Sequence, residues 1–270
     1  MLFNQLYTIR ELNNYDINKL LDFFNYSKKF THPTEFYNEG WLTRLLIFSI
    51  TDFGLKEHPL YIQDNSKYFS ESLLYTPFLA RSRKDSLAES FTHADSAIGE
   101  FNIGNDKNKG SLILTGNKLK IFEAKINSGF SKDVTNAKFY NQSARYVACI
   151  TEIIDRANKI SQLDSLSIGF YLILPKEQYE KKKTFKEFLD KINIYETVQK
   201  RVEQYHNEDD YEQRLLWLTT TFKNVLDKIT IKPIFYENVI SELEGYQFHN
   251  EINDYYEKCK DYNKIKYCVQ

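Results

Sequence analysis

Glu123 and Lys125 stand two positions apart in Leu119-Lys-Ile-Phe-Glu-Ala-Lys-Ile126, an apolar segment that reads as a β-strand. Side chains at i and i+2 of a strand leave the same face. Glu123 and Lys125 therefore point one way, and Phe122 and Ala124 the other. Asp95 stands upstream in a second apolar stretch, Phe91-Thr-His-Ala-Asp-Ser-Ala-Ile98. Two acids and a lysine drawn together can hold a divalent cation and activate water, which is the chemistry that cuts a phosphodiester.

Such a cluster needs a sheet to carry it. The pattern from 93 to 126 predicts a strand near 93–103, a polar loop through Asn105–Gly110, and then a hairpin. Its arms are Ser111–Leu114 and Lys118–Lys125, with Thr115-Gly-Asn117 as the turn. A polar loop, Asn127-Ser-Gly129, leads to a helix over about 133–158. Residues 166–174 form a nearly continuous apolar run closed by Pro175, as suits a central strand buried on both faces. Upstream, the spacing of apolar residues predicts helices over 15–30 and 35–52, the second ended by Gly54 and by His58-Pro59. Residues 55–92 carry aromatic runs and the basic cluster Arg81, Arg83 and Lys84, without a clear period. Downstream, the pattern is mainly helical (176–204, 208–228 and 238–260), with a short strand at 229–236. Helix, strands, helix, strand and helices in that order indicate an α/β or mixed α+β chain.

An acid on one strand, Glu-x-Lys on a later strand, then a helix and a buried strand resembles the PD-(D/E)XK nuclease superfamily. The matching pieces are Asp95, Glu123-Ala-Lys125 and the helix beginning near Asp133, and the resemblance covers about residues 35–175. On that helix, Gln142-Ser-Ala-Arg-Tyr146 is similar to the Gln-x-x-x-Tyr motif of RecB-like nucleases, and the i, i+4 spacing puts Gln142 and Tyr146 on one face. Glu39-Gly-Trp-Leu-Thr-Arg44 resembles the first core helix, where an acid often joins the metal cluster; Glu89 competes for that role. Ala94 stands where the pattern often has proline, and an extra loop and strand separate Asp95 from Glu123.

The resemblance implies a restriction-endonuclease-like α/β fold: a mixed central sheet flanked by helices, in one domain over 1–270 with a helical C-terminal addition from 176. It implies Mg²⁺ (or Mn²⁺) held by Asp95, Glu123 and the Ala124 carbonyl, with Glu39 joining them. Lys125 would orient the attacking water or stabilise the pentacovalent state, Gln142 would hold the water or the adjacent backbone, and Tyr146 would brace it. The implied partner is nucleic acid, DNA before RNA, in restriction or defence against phage, with a homodimer or a defence subunit as further partner. The rival reading is a nuclease fold without catalysis that serves as a binding or assembly module.

Each piece also has a plainer reading. Same-face Glu and Lys are ordinary on a strand, Gln142 suits a helix surface, Tyr146 suits a core, and Glu39 suits a helix start. Net charge is −1 over 270 residues, so any polyanion would have to be met by local lysines. Lys181, Lys182 and Lys183 are the candidates, with Lys107, Lys109, Lys118 and Lys120 as a second run, although solvated faces explain both. Cys149, Cys259 and Cys268 have neither zinc nor disulfide-scaffold spacing, which fits a reduced cytoplasmic setting. The five histidines make no His-Glu-x-x-His pattern, and neither a phosphate-loop ending nor a Rossmann fingerprint occurs. No membrane span or secretory signal is expected.

Overall fold

The computed structural model describes residue 22 and residues 33–80, 85–104, 111–129 and 137–265. Most of the helix expected over 15–30, the Arg81–Lys84 cluster, the Asn105–Gly110 loop with Lys107 and Lys109, Asp133 and Cys268 lie outside them.

Among the described residues, five strands form one mixed sheet: β1 (Lys67–Leu74), β2 (Thr92–Ile103), β3 (Leu112–Ala124), β4 (Ser167–Leu174) and β5 (Thr230–Phe235), in that spatial order. β1–β2 and β2–β3 are antiparallel; β3–β4 and β4–β5 are parallel. β4, flanked by parallel neighbours, is buried from Ile168 to Leu174. That is why its sequence is apolar without alternation. β1 lies in the segment whose period could not be read. Its polar residues, Lys67, Ser70, Glu71 and Ser72, break any hydrophobic alternation.

The expected hairpin within 111–125 does not form. Leu112–Ala124 is a single strand, and its antiparallel partner is β2. Gly99 pairs with Leu119 and Phe101 with Leu114, so the surplus residues around Thr115-Gly-Asn117 bulge out opposite Glu100. Glu100 holds the bulge: its carbonyl accepts from Thr115 Oγ1 at 3.0 Å, and its carboxylate accepts the Asn117 amide at 2.6 Å. Gly99 is required here, because a Cβ at that position would sit 2.3 Å from the Lys118 carbonyl oxygen.

Helix α1 (Glu39–Phe53) starts where the Asn38 side chain accepts the Trp41 amide at 3.0 Å, and ends at Gly54, whose φ of 84° is left-handed. Helix α2 (Gln142–Arg156) begins later than expected. Asn141 caps it by accepting the Ala144 amide, and residues 137–140 are not helical. The predicted 176–204 helix is three: α3 (Lys176–Lys181), α4 (Lys183–Leu189) and α5 (Lys191–Glu203). Then come α6 (Tyr211–Trp217), a π-helical turn (Leu218–Phe222), α7 (Lys223–Lys228), α8 (Tyr236–Glu242) and α9 (His249–Ile265).

Two cores cover the two faces of the sheet. Ala97, Leu119, Ile121, Phe170 and Leu172 pack against α2, α5 and the segment around Phe222. Ile98, Phe122, Ala124, Tyr171 and Ile173 pack against α1, α8 and α9. The C-terminal third thus supplies an edge strand and helices to both layers. No helix among the described residues is long and apolar enough to cross a membrane.

Candidate active site

The β2–β3 ladder ends at the Ser96–Phe122 pair. One step further, by count, Asp95 stands opposite Glu123, and there a side chain takes over from the backbone. Asp95 Oδ2 accepts the Ala124 amide at 2.7 Å. The Asp95 and Glu123 carboxyl groups are near enough that the charge on Asp95 raises the pKa of Glu123. The three residues that the sequence singled out therefore meet at one point, where β2 and β3 part.

Glu123 is 2 % exposed and has a donor on each oxygen. Oε1 accepts from Gln142 Nε2 at 2.7 Å and from Lys125 Nζ. Oε2 contacts the Tyr146 hydroxyl, which lies 2.8 Å from the His93 carbonyl oxygen. A phenol has one proton to give. The His93 carbonyl oxygen and Glu123 Oε2 both lie where they can accept it. Burial, and then the Asp95 charge, push the Glu123 carboxyl up to about 7. Burial raises Asp95 as well. Burial pulls Lys125 down, but the Glu123 carboxylate, with help from Asp95 and Glu39, reverses that and leaves the ammonium above its usual range. Burial and the Glu123 charge keep Tyr146 protonated.

Asp95 opens onto a cleft of about 500 Å³ lined by Glu39, Trp41, Arg44, Glu71 and Asn127, among others. Glu39, at the start of α1, is therefore brought to the same cleft as Asp95. Glu71 was missed by sequence reasoning. It lies between the Ser70–Ser96 and Ser72–Ala94 pairs, opposite Asp95, with a left-handed φ of 53°. A left-handed glutamate in a strand costs about 1–3 kcal/mol. An acid in the weakly apolar Tyr68–Leu74 run was the one available signal, and it does not distinguish a cleft residue from a solvated one.

Other candidates fall elsewhere. Glu89 does not join the cluster: its fully buried carboxylate is bound by Arg201 Nε at 2.9 Å, Arg145 Nε at 3.2 Å and Thr76 Oγ1 at 3.3 Å. It is far better explained as the centre of a buried ion cluster than as a cleft acid. The His93 side chain is exposed, and it is the backbone carbonyl that serves the site. Lys181 and Lys183 pair with Glu177 and Glu187 one turn along their own helices, and Lys182 lies over the Phe185 ring. All three lysines are exposed. Cys149 and Cys259 are buried free thiols.

Among the described residues, no group of three or more His, Cys, Asp or Glu side chains is arranged to hold a metal ion. The donor set at the strand ends is smaller, two neighbouring carboxyls. Magnesium usually takes one or two carboxylates and keeps several waters. Glu123 is buried and the charge of half-buried Asp95 beside it disfavours its ionised form, so a cation that offsets both charges is favourable and the pair suits a hard divalent ion. The Ala124 amide is committed to Asp95.

No family model, curated protein or solved structure matches this chain.

Proposed function

We propose that this protein is a metal-dependent nuclease of the PD-(D/E)XK type, hydrolysing phosphodiester bonds in DNA. The observation that carries the reading is the convergence of Asp95 and Glu123 where β2 and β3 diverge, with Asp95 held on the Ala124 amide and Lys125 paired with Glu123. A first helix (α1), a strand with Asp95 (β2), the Glu-x-Lys strand (β3), a helix (α2) and a buried strand (β4) follow in the order that the resemblance calls for. The helical pair Gln142 and Tyr146, noticed for its spacing, converges on the same carboxylate.

In this reading Asp95 and Glu123 hold Mg²⁺ or Mn²⁺, with Glu39 close by in the cleft. The bound ion would supply Lewis-acid polarisation of the phosphate and a more acidic water. Lys125 orients the attacking water and, as a compact cation, stabilises charge growing on the phosphate oxygens. The oxygen of water forms the new bond to phosphorus as the water gives up a proton to solvent, the ester P–O bond breaks, and the departing sugar oxygen takes a proton from solvent. Gln142 and Tyr146 fix the rotamer of Glu123, so that its carboxylate needs no reorganisation during the reaction.

The test is purified protein with plasmid, single-stranded DNA and RNA in Mg²⁺ or Mn²⁺, repeated in EDTA. Metal-dependent cutting that disappears in Glu123→Ala and Lys125→Ala supports the enzyme. Cutting that survives in both variants places the activity elsewhere. Absence of cutting on every substrate leaves the binding-module reading in its place.

A further inference from the structure

Among the described residues, the cleft beside Asp95 is lined by four acids, Glu35, Glu39, Glu71 and Asp95, and by one arginine, Arg44. Among the described residues none of these carboxylates forms an ion pair with Arg44. The guanidinium instead lies over the Trp41 ring, 4.7 Å from its centroid. It folds back along α1 across Gly40: a Cβ at position 40 would meet Arg44 Nη1 at 3.4 Å. Its charge reaches Asp95, holding that carboxyl lower than burial alone would. Stacking on an aromatic face restrains a guanidinium while leaving its in-plane N–H donors available. A cation restrained in an acid-lined cleft, yet committed to none of the acids, suits an anion that arrives from outside.

We infer that Arg44 is the phosphate-binding residue of this cleft, taking a non-bridging oxygen of a nucleic-acid phosphate beside Asp95. The inference rests on the nuclease reading, because it is that reading which brings a phosphodiester into the cleft. Arginine suits the task better than lysine, since its planar fork can give two parallel hydrogen bonds to one phosphate. Trp41 acts through Arg44 and is a positioning residue. The net negative lining means that the phosphate is held well only once cations have offset the carboxylates, so binding should strengthen with a divalent ion.

The experiment compares wild type, Arg44→Met and Arg44→Lys. Binding of a fluorescent 20-nucleotide single strand and of its duplex is measured across a salt series in Ca²⁺, and cleavage of both is measured in Mg²⁺. Loss of one phosphate contact should lower the slope of log K against log salt by about 1. Cleavage by Arg44→Met should fall about 10²–10³-fold, as for removal of a donor to developing charge. Arg44→Lys should keep most of the salt slope and lose at least about 10-fold in cleavage, since charge remains but the fork is gone. Thermal melts accompany each variant, and Arg44→Lys decides the matter if Arg44→Met does not fold. A variant that keeps the wild-type slope and cuts within about threefold of wild type overturns the role of Arg44 while leaving the nuclease standing. A wild type that neither binds nor cuts overturns both.

Discussion

Asp95 Oδ2 accepts the backbone amide of Ala124 at 2.7 Å, one step beyond the last β2–β3 pair. A carboxylate occupies the place where a strand carbonyl would have continued the ladder. This ties the position of Asp95 to the backbone of the strand that carries Glu123 and Lys125, so the spacing between the two acids is set by the sheet rather than by side-chain rotamers.

Asp95→Asn separates the structural from the chemical role. The amide oxygen can still accept from Ala124, while the like charge disappears. The variant should melt higher than wild type in EDTA at pH 8, by about 0.5–2 kcal/mol, the usual scale when a strained functional group is relieved. It should also lose both metal-dependent cutting and the rise in melting temperature that Mg²⁺ gives wild type. Calorimetry with and without Mg²⁺ checks both.

Stability in EDTA should depend on pH with a definite sign. The folded Glu123 carboxyl titrates at about 7, above its ordinary value of 4.5, so between those values the native state binds more protons than the unfolded chain. The contribution of Glu123 is complete below 4.5 and is lost as pH rises through 7. Denaturant midpoints should therefore fall across this window in wild type and fall less in Glu123→Gln. Saturating Mg²⁺ should flatten the wild-type trend, because the ion binds the ionised pair. A wild-type midpoint independent of pH over this range contradicts the raised Glu123 pKa.

Tyr146→Phe removes the hydroxyl from Glu123 and leaves the His93 carbonyl without that donor. The Tyr146 hydrogen bond lowers the Glu123 pKa, so its loss moves the acid limb of the cleavage profile to higher pH. Stability should fall by about 1 kcal/mol for the lost hydrogen bond. A core aromatic without a role at the site would change the melt and leave the pH profile in place, so the profile is the deciding measurement.

Glu89→Ala should be among the most destabilising single changes. It leaves the fully buried Arg201 guanidinium without its carboxylate, a loss of about 3–5 kcal/mol. In Glu89→Gln the Thr76 contact can persist and the loss should be smaller. Below its melting point either variant should keep the metal dependence of cutting, because Glu89 lies outside the carboxyl pair. Loss of cutting in a folded Glu89→Gln would return Glu89 to the site.

Several elements were legible because local chemistry and tertiary demand agree in them. Residues 166–174 read as a buried strand, since parallel neighbours on each side require apolar residues throughout. The i, i+2 and i, i+4 spacings of Glu123/Lys125 and Gln142/Tyr146 carried over directly, as they depend only on strand and helix geometry. The bulge at Thr115–Asn117 was read as a turn because its residues are turn formers. Only the pairing with Glu100 decides that the chain continues in the same strand. The late start of α2 was hidden because apolar spacing alone does not show where Asn141 caps the helix.

The sequence by itself determined which groups capable of chemistry exist, and which of them share a face, because those relations follow from the repeat of one strand or one helix. Only the tertiary structure decided that Asp95 meets Glu123, that Glu39, Arg44 and Glu71 line one cleft, and that Glu89 is withdrawn into an ion cluster with Arg201. These meetings join residues far apart in the chain. They are fixed by strand register and by the packing of helices on the two faces of the sheet, and neither leaves a local period to read.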